Sequence, residues 1–533
     1  ATISERSIGE VARELWEALE EGFVLPIDGD YRLLEPSAGQ GSLEQLDDDF
    51  DVHYRFLHDR VLEAAYKLEE GEKKHEVHLK IGRLLRGSSG EPPRDDELLD
   101  IVHHLNRGAA GITDPSERVD LARLNLLACR KAKGSGAHDA AAAYARAGVA
   151  LLSEESWGPD YDLTFALHAE SAECEDLSGN VERAEAIYEA LLPRAKSKLD
   201  KARVHSLRLR MFTGRARYSD ALKECLEGLS VLGHGFSVEG DLNAAVMEQL
   251  PVILKAVAGR SVGDLLSAPV VTDPMQELAQ EILASALDPI YLGMPSAFGV
   301  YVVKYMSVIL ERGHTQYSAS GYLGFAHMIA MGMGLHAEAS TLVQVALALS
   351  QRIPNLGMFA YANFTRVVLA PFYEAMRESV PYFHTALDAS LEAGDFIKLG
   401  SISAQLPLHL FIAGYQLEEI LEIVDKNLAI ARRIRQPKPV ALLTFMRQVI
   451  LNLMGKTRDR STLCDDHFTE EEYAAALDEK DGYTLFHLQT LLLRLRYLHG
   501  DFEAAMAAAD VAESHLMNVP GHLHTTELFF YRC

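Results

Sequence analysis

Few cysteines, few chain-breaking residues, a deficit of positive charge and no long apolar run mark this 533-residue sequence. Its five cysteines, Cys129, Cys174, Cys225, Cys464 and Cys533, are odd in number, far apart and never in a CxxC pair. That pattern excludes a disulfide framework and a structural zinc finger, and it fits a reducing cytoplasm. Glycine and proline, 38 and 19 residues, are too scarce for a disordered or fibrous chain. Lys and Arg number 51 against 77 Asp and Glu, a formal charge of −26. Local clusters such as "DDDFD" (47–51) and "DEKD" (478–481) spread that charge, so no face reads as a phosphate-binding stripe and nucleic acid is disfavoured as a partner. The longest uncharged stretch, "TQYSASGYLGFAHMIAMGMGL" (315–335), is interrupted by four glycines and by Ser, Gln and His. It suits a buried helix pair better than a membrane span, and the amino-terminal residues carry no signal-peptide pattern. The opening at Ala1 and the close just after the apolar "ELFFY" read as a segment of something longer.

Catalytic motifs are missing as well. There is no GxxxxGK[ST]; Gly455, Lys456 and Thr457 stand in the order of a phosphate loop but lack its first glycine and follow a helical run. Kinase signatures, HExxH and GxSxG are absent. The close histidine pairs His75 and His78, His103 and His104, and His522 and His524 have no Cys or carboxylate at a second fixed spacing, so they read as surface or part-buried helix residues and no metal site is assigned.

What is present is a helical pattern. Apolar residues make up 48 % of the chain, with Ala, Leu and Glu prominent. Ile8, Val11, Leu15 and Leu19 recur at helical spacing, a turn-rich, strand-like "FVLPIDGDYRLL" (23–34) follows, and "EKKHEVHLKIGRLL" (72–85) predicts a helix with Val77, Ile81, Leu84 and Leu85 on one face. Residues 1–85 therefore read as a small winged-helix-like domain, 86–97 as a linker, and 98–533 as a repeat array.

The array shows a Gly, a few polar residues and then small residues, at "LSGNVERAEAIYEALL" (177–192), "FTGRARYSDALKECLEGL" (212–229), "MGLHAEASTLVQVAL" (333–347), "IAGYQLEEILEIVDKNL" (412–428) and "LHGDFEAAMAAADVA" (498–512). Gly179 and Gly214 lie 35 residues apart, a tetratricopeptide-like period. Ala184, Ala221, Ala337 and Ala504 are the small residues expected to let helices approach. The fold class is all-α: a right-handed tetratricopeptide-like α-solenoid of about eleven helix pairs, preceded by the winged-helix-like domain. Tyr291, Phe298, Tyr301, Tyr305, Tyr317, Tyr322 and Phe325 either line a groove or, the preferred reading, pack neighbouring hairpins. "SEESWGPD" (153–160), "GHGFSVEGD" (233–241) and "GKTRDRSTLCDD" (455–466) read as ordinary loops.

"FLHDRVLEAAY" (56–66), "HLKIGRLL" (78–85), "LLDIVHHLNRGA" (98–109), the segment 121–152 and the segment 156–185 together resemble the middle region of large bacterial serine/threonine kinase, ATPase and sensor histidine kinase hybrids, whose ATPase is of the STAND class. The resemblance, which continues through "ALDASLEAGD" and "LFIAGYQLEEI", implies the end of a winged-helix domain followed by a sensor arm. A nucleotide-binding domain would lie upstream, and a protein partner or small-molecule inducer would bind the solenoid. ATP or ADP would belong to the parent protein; no cofactor and no catalytic residue is assigned to these residues. "YRFLHDRVLEAAYKL" (54–68) would be the closing helix of the winged-helix domain. The resemblance places His58 where a related histidine reaches the phosphates of bound ADP; the alternative is a hydrogen-bonded histidine at a domain interface. Two other classes remain open: a fragment of an ATP-binding serine/threonine or histidine kinase, and the arm of a LuxR-type transcription regulator.

Overall fold

The computed structural model describes residues 8–27, 54–58, 60–61, 71–477, 481–519 and 522–533. The chain divides into two compact units, Ala1–Arg194 and Ala195–Cys533.

In the first unit, helix α1 (Ile8–Glu20) precedes a two-stranded antiparallel ribbon of β1 (Val24–Pro26) and β2 (Tyr54–Phe56), with Val24 opposite Phe56 and Pro26 opposite Tyr54. Val11, Leu15 and Leu19 of α1 are half-buried, in keeping with the apolar spacing. Then come α2 (Gly71–Ser88), α3 (Asp95–Gly108), α4 (Pro115–Gly134), α5 (His138–Leu151), α6 (Tyr161–Leu177) and α7 (Val181–Leu191), which pack as the hairpins α2/α3, α4/α5 and α6/α7. A core of Leu79, Ile101, Val102, Leu105, Leu121 and Leu167 runs through them.

The second unit contains α8 (Lys198–Gly214), α9 (Tyr218–Val231), α10 (Leu242–Val257), α11 (Val262–Leu266), α12 (Pro274–Ser285), α13 (Leu287–Gly293), α14 (Phe298–Arg312), α15 (Ser318–Met333), α16 (His336–Arg352) and α17 (Leu356–Leu369). It continues with α18 (Met376–Glu392), α19 (Phe396–Ile412), α20 (Leu417–Arg433), α21 (Pro437–Leu453), α22 (Glu470–Ala475), α23 (Gly482–Leu498), α24 (Phe502–Ser514) and α25 (His524–Arg532). The pairs α8/α9, α15/α16, α17/α18, α19/α20 and α23/α24 are hairpins, whereas α10–α14 and the stretch around α22 interrupt the pattern. Regular pairs among the described residues are therefore eight, three plus five, rather than about eleven. No helix among the described residues is long and apolar enough to cross a membrane. The stretch 315–335 holds one buried helix, α15, and not a pair.

All five recurring turns join paired helices, and their backbone explains the sequence pattern. Gly179, Gly414 and Gly500 take φ of +88°, +74° and +78°. The amide after each reaches back to a carbonyl five residues earlier, as in Asn180 N to Glu175 O at 2.8 Å and Asp501 N to Arg496 O at 2.9 Å. This closes a helix on its own last carbonyls, and a residue without Cβ enters the left-handed region without strain. In the second turn Gly214 is instead the last helical residue, and Ala216 takes φ of +55°.

In five of the eight pairs a small residue sits at the fourth position of the second helix: Ala141, Ala184, Ala221, Ala339 and Ala505 are all buried. Two assignments from the spacing are thereby corrected, because Ala337 is exposed and Ala504 only half-buried. Each lies one or two residues off the face that meets its partner.

The boundary at 85 and the linker 86–97 also differ from the structure. Helix runs through Ser88 and resumes at Asp95, so six residues, 89–94, connect α2 to α3. The face of α2 is shifted too: Val77, Leu84 and Leu85 are exposed, while His78, Leu79 and Gly82 are buried. The reason is steric. A Cβ on Gly82 would lie 2.6 Å from Leu105 Cδ2, and one on Gly108 would lie 2.7 Å from the Leu79 backbone nitrogen, so the glycine-bearing faces are the ones close enough to pack. Finally, "YRFLHDRVLEAAYKL" does not begin as helix. Tyr54–Phe56 form β2, helix is present at 60–61, and the remainder of the reading lies outside the described residues, as does most of the winged-helix assignment.

Candidate functional site

The first unit carries a surface groove of about 340 Å³ between the short turn Glu154–Trp157, α6 and α7. Its floor is Trp157, Ile187 and Leu191. Ser153 and Ser156 cap the turn reciprocally and so present Trp157 at a fixed angle. The indole lies 5.0 Å from the His168 ring on one side and 5.0 Å from the Arg194 guanidinium on another. Arg194 also pairs with Glu154 at 2.6 Å. His168 Nδ1 donates to Thr164 O at 2.8 Å, which leaves Nε2 as an acceptor. Burial holds the His168 pKa below the ordinary imidazole value, the Thr164 bond opposes that shift, and the Arg194 charge adds to it. The imidazole is therefore neutral at pH 7. The groove thus combines an apolar lining, one neutral acceptor and two edge arginines, Arg183 and Arg194. "SEESWGPD" is a connector between α5 and α6, as read, and it also contributes Glu154 and Trp157 to the groove, which its sequence does not reveal.

The sequence-flagged residues go elsewhere. His58 is exposed between β2 and the helical turn at 60–61, and its carbonyl accepts from Val61 N at 2.9 Å. Gly455–Thr457 form the turn after α21, where Asn452 Nδ2 donates to Thr457 Oγ1 at 3.0 Å; no phosphate loop is built there. His75 bonds the Arg107 carbonyl, and His78 and His104 approach at 2.9 Å between Nδ1 atoms across α2 and α3. Of the seven aromatics, Tyr291, Phe298 and Tyr317 are half-buried, and Tyr301, Tyr305, Tyr322 and Phe325 are buried, in keeping with packing for those four. Their hydroxyls are satisfied inside: Tyr305 reaches Gln280 O at 3.1 Å, and Tyr322 meets His314 Nε2 at 3.0 Å. Gln280 in turn donates to Gly313 O at 2.9 Å and accepts from Thr315 at 3.0 Å. This knot ties α12, α14 and α15 together.

Three side-chain groups bring potential ligand atoms within 4.8 Å of one another among the described residues: Cys129, Glu170 and Cys174; His205, Glu224 and Glu227; and His487, His522 and His524. The two thiols, 45 residues apart in sequence, lie 3.6 Å apart as free cysteines. Glu170 is held by Arg130 and Lys133. His205 and Arg208 both bond Glu224, at 2.7 and 3.0 Å. The third group joins α23 to the start of α25, and here burial leaves the rings neutral: His522 and His524 are pushed down to about 3, and His487 falls well below its ordinary value.

With this geometry in view, the chain can be set beside known proteins. No family model matches it. It is 22 % identical over 423 residues to hybrid signal transduction histidine kinase G of Dictyostelium discoideum, covering 70 % of this chain and 12 % of that protein. The chain thus spans about an eighth of the length of the curated relative it matches. A Rap protein solved in complex with competence and sporulation factor aligns at TM-score 0.39 and 12 % identity, over 78 % of this chain and all of that one. A STAND protein with a tetratricopeptide repeat sensor from Pyrococcus horikoshii aligns at TM-score 0.39 and 12 % identity, over 95 % of this chain and 68 % of that one.

Proposed function

We propose that this chain is a non-catalytic sensory arm of a larger signalling protein, which binds a protein segment or small molecule and biases an attached nucleotide switch and kinase output. The observation that carries this reading is the 423-residue likeness to a hybrid histidine kinase of which the chain spans only 12 %. The helical-hairpin architecture supports it, since stacked helix pairs present rows of side chains for recognition. Within the reading, the Trp157 groove receives an apolar or aromatic group, with His168 Nε2 as acceptor. His58, being exposed, would face a nucleotide-binding domain of the parent protein, and ATP or ADP would bind there.

Coupling is reciprocal: a ligand that favours one arrangement of arm and switch changes nucleotide affinity by the same factor that nucleotide changes its own. The test uses the parent protein in full. Deleting residues 98–533 should leave ATP binding by the switch in place and abolish the ligand dependence of its ATPase or autophosphorylation rate. Unchanged regulation after deletion would sink the proposal.

A further inference from the structure

Of the three clusters that gather ligand atoms, one is left chemically incomplete. In the Glu170 and Glu224 clusters the carboxylates are already met by Arg, Lys or His. The histidine cluster has no such closure. His487 is 1 % and His524 6 % exposed, yet His487 Nδ1 and both ring nitrogens of His524 lack any hydrogen-bond partner. A buried polar atom left unpaired costs about 1–3 kcal/mol, and three such atoms in one spot call for an explanation. They converge with His522, whose ring centroid lies 5.4 Å from that of His487; His487 and His524 are 4.7 Å apart.

We propose that His487, His522 and His524 bind a divalent transition-metal ion of the zinc class, which pins α25 to α23. Three neutral imidazoles with no thiolate suit zinc, cobalt, nickel or copper, and a fourth position stays open for water. In a tetrahedral site with metal–nitrogen bonds of 2.0–2.1 Å, the nitrogens stand about 3.3–3.4 Å apart. The present atoms lie within 4.8 Å of one another and would draw together to that spacing on binding. Gln405 supplies the supporting contact. Its amide nitrogen is placed 3.4 Å from His487 Nε2 and also against the Tyr483 hydroxyl. Turned over, its oxygen accepts from both, which puts the proton on Nε2 and frees Nδ1 for the metal. Arg494, whose charge acts on His524, is already matched by Glu527 at 2.7 Å, one turn beyond His524.

The sequence hides this site because the H-x-H pair at 522–524 and the third ligand are 35 residues apart. The test uses the full chain, stripped of metal with a chelator and titrated with Co²⁺ and, separately, Zn²⁺. One equivalent of Co²⁺ should bind and give the intense visible bands of a tetrahedral ion, displaced by Zn²⁺, with a raised melting temperature. His522→Ala and His524→Gln should each weaken binding at least tenfold, while His384→Ala, at an exposed site, leaves it unchanged. Should a variant fail to fold, the wild-type Co²⁺ spectrum still decides. Absence of stoichiometric binding, an octahedral spectrum, or binding that survives His522→Ala would overturn the proposal.

Discussion

Gly108 shows how one atom sets a helix pair. Its missing Cβ lets α3 meet α2 at the Leu79 backbone, with 2.7 Å between the position a Cβ would take and the Leu79 nitrogen. Because that neighbour is main chain, it cannot swing aside. Gly108→Ala should cost about 1–3 kcal/mol, read as a lower urea midpoint with an unchanged slope. His314 makes a second case. It is fully buried, its Nε2 meets Tyr322, and burial with some help from the Arg352 charge pushes its pKa down to about 4. The unfolded chain then takes up a proton that the folded chain refuses. This contribution is intact above the ordinary value near 6.5 and fades as pH falls toward 4. By linkage it amounts to about 2 kcal/mol lost between pH 7 and 5. Stability measured against pH should lose that slope in His314→Phe; the same slope in wild type and variant would refute the assignment.

At the scale of elements, the turn "GDF" occurs twice, at 394–396 and 500–502, and works the same way each time. Gly394 has φ of +67° and Asp395 accepts from Lys398 N at 3.0 Å, so one helix is closed and the next capped within two residues. Asp395→Ala should therefore destabilise the chain by about 1 kcal/mol, measured by chemical denaturation. Helix packing adds a buried charge. Glu175 on α6 is fully buried and meets Arg146 of α5 at 2.6 Å, Arg183 of α7 at 3.3 Å and Asn180 at 2.8 Å. Burial alone raises its pKa; the bonds from Arg146 and Asn180 and the two positive charges outweigh it, and the net shift is downward. Its contribution is present above the ordinary carboxylate range and lost as pH falls through the lowered value. Arg146→Met should destabilise by about 1–3 kcal/mol at neutral pH, less than a lone buried pair would lose, because Arg183 and Asn180 remain. Its melting temperature at pH 7 is the measurement.

For the whole molecule, the two units have separate cores, so the expected calorimetric trace has two transitions. Gly108→Ala should lower only the one belonging to 1–194, and a single transition shifted as a whole would contradict that division. The proposed recognition role is tested at this scale as well. Trp157→Ala should abolish the ligand response of the parent protein while leaving both transitions in place.

The recurring turns were legible in the sequence by itself, because a glycine in the left-handed region, as at Gly179, Gly414 and Gly500, acts on backbone groups within five residues. Tertiary structure alone decided which stripe of each helix is buried. A 3.6-residue period fixes a face only to within a residue or two, so the pattern pointed to Val77 and Leu84 where contact chose Leu79 and Gly82, and to Ala337 and Ala504 where it chose Ala339 and Ala505. It alone placed Trp157 between His168 and Arg194. And it alone carried His487 to His522 and His524, since only the burial of α25 against α23 makes neighbours of residues that local spacing keeps apart.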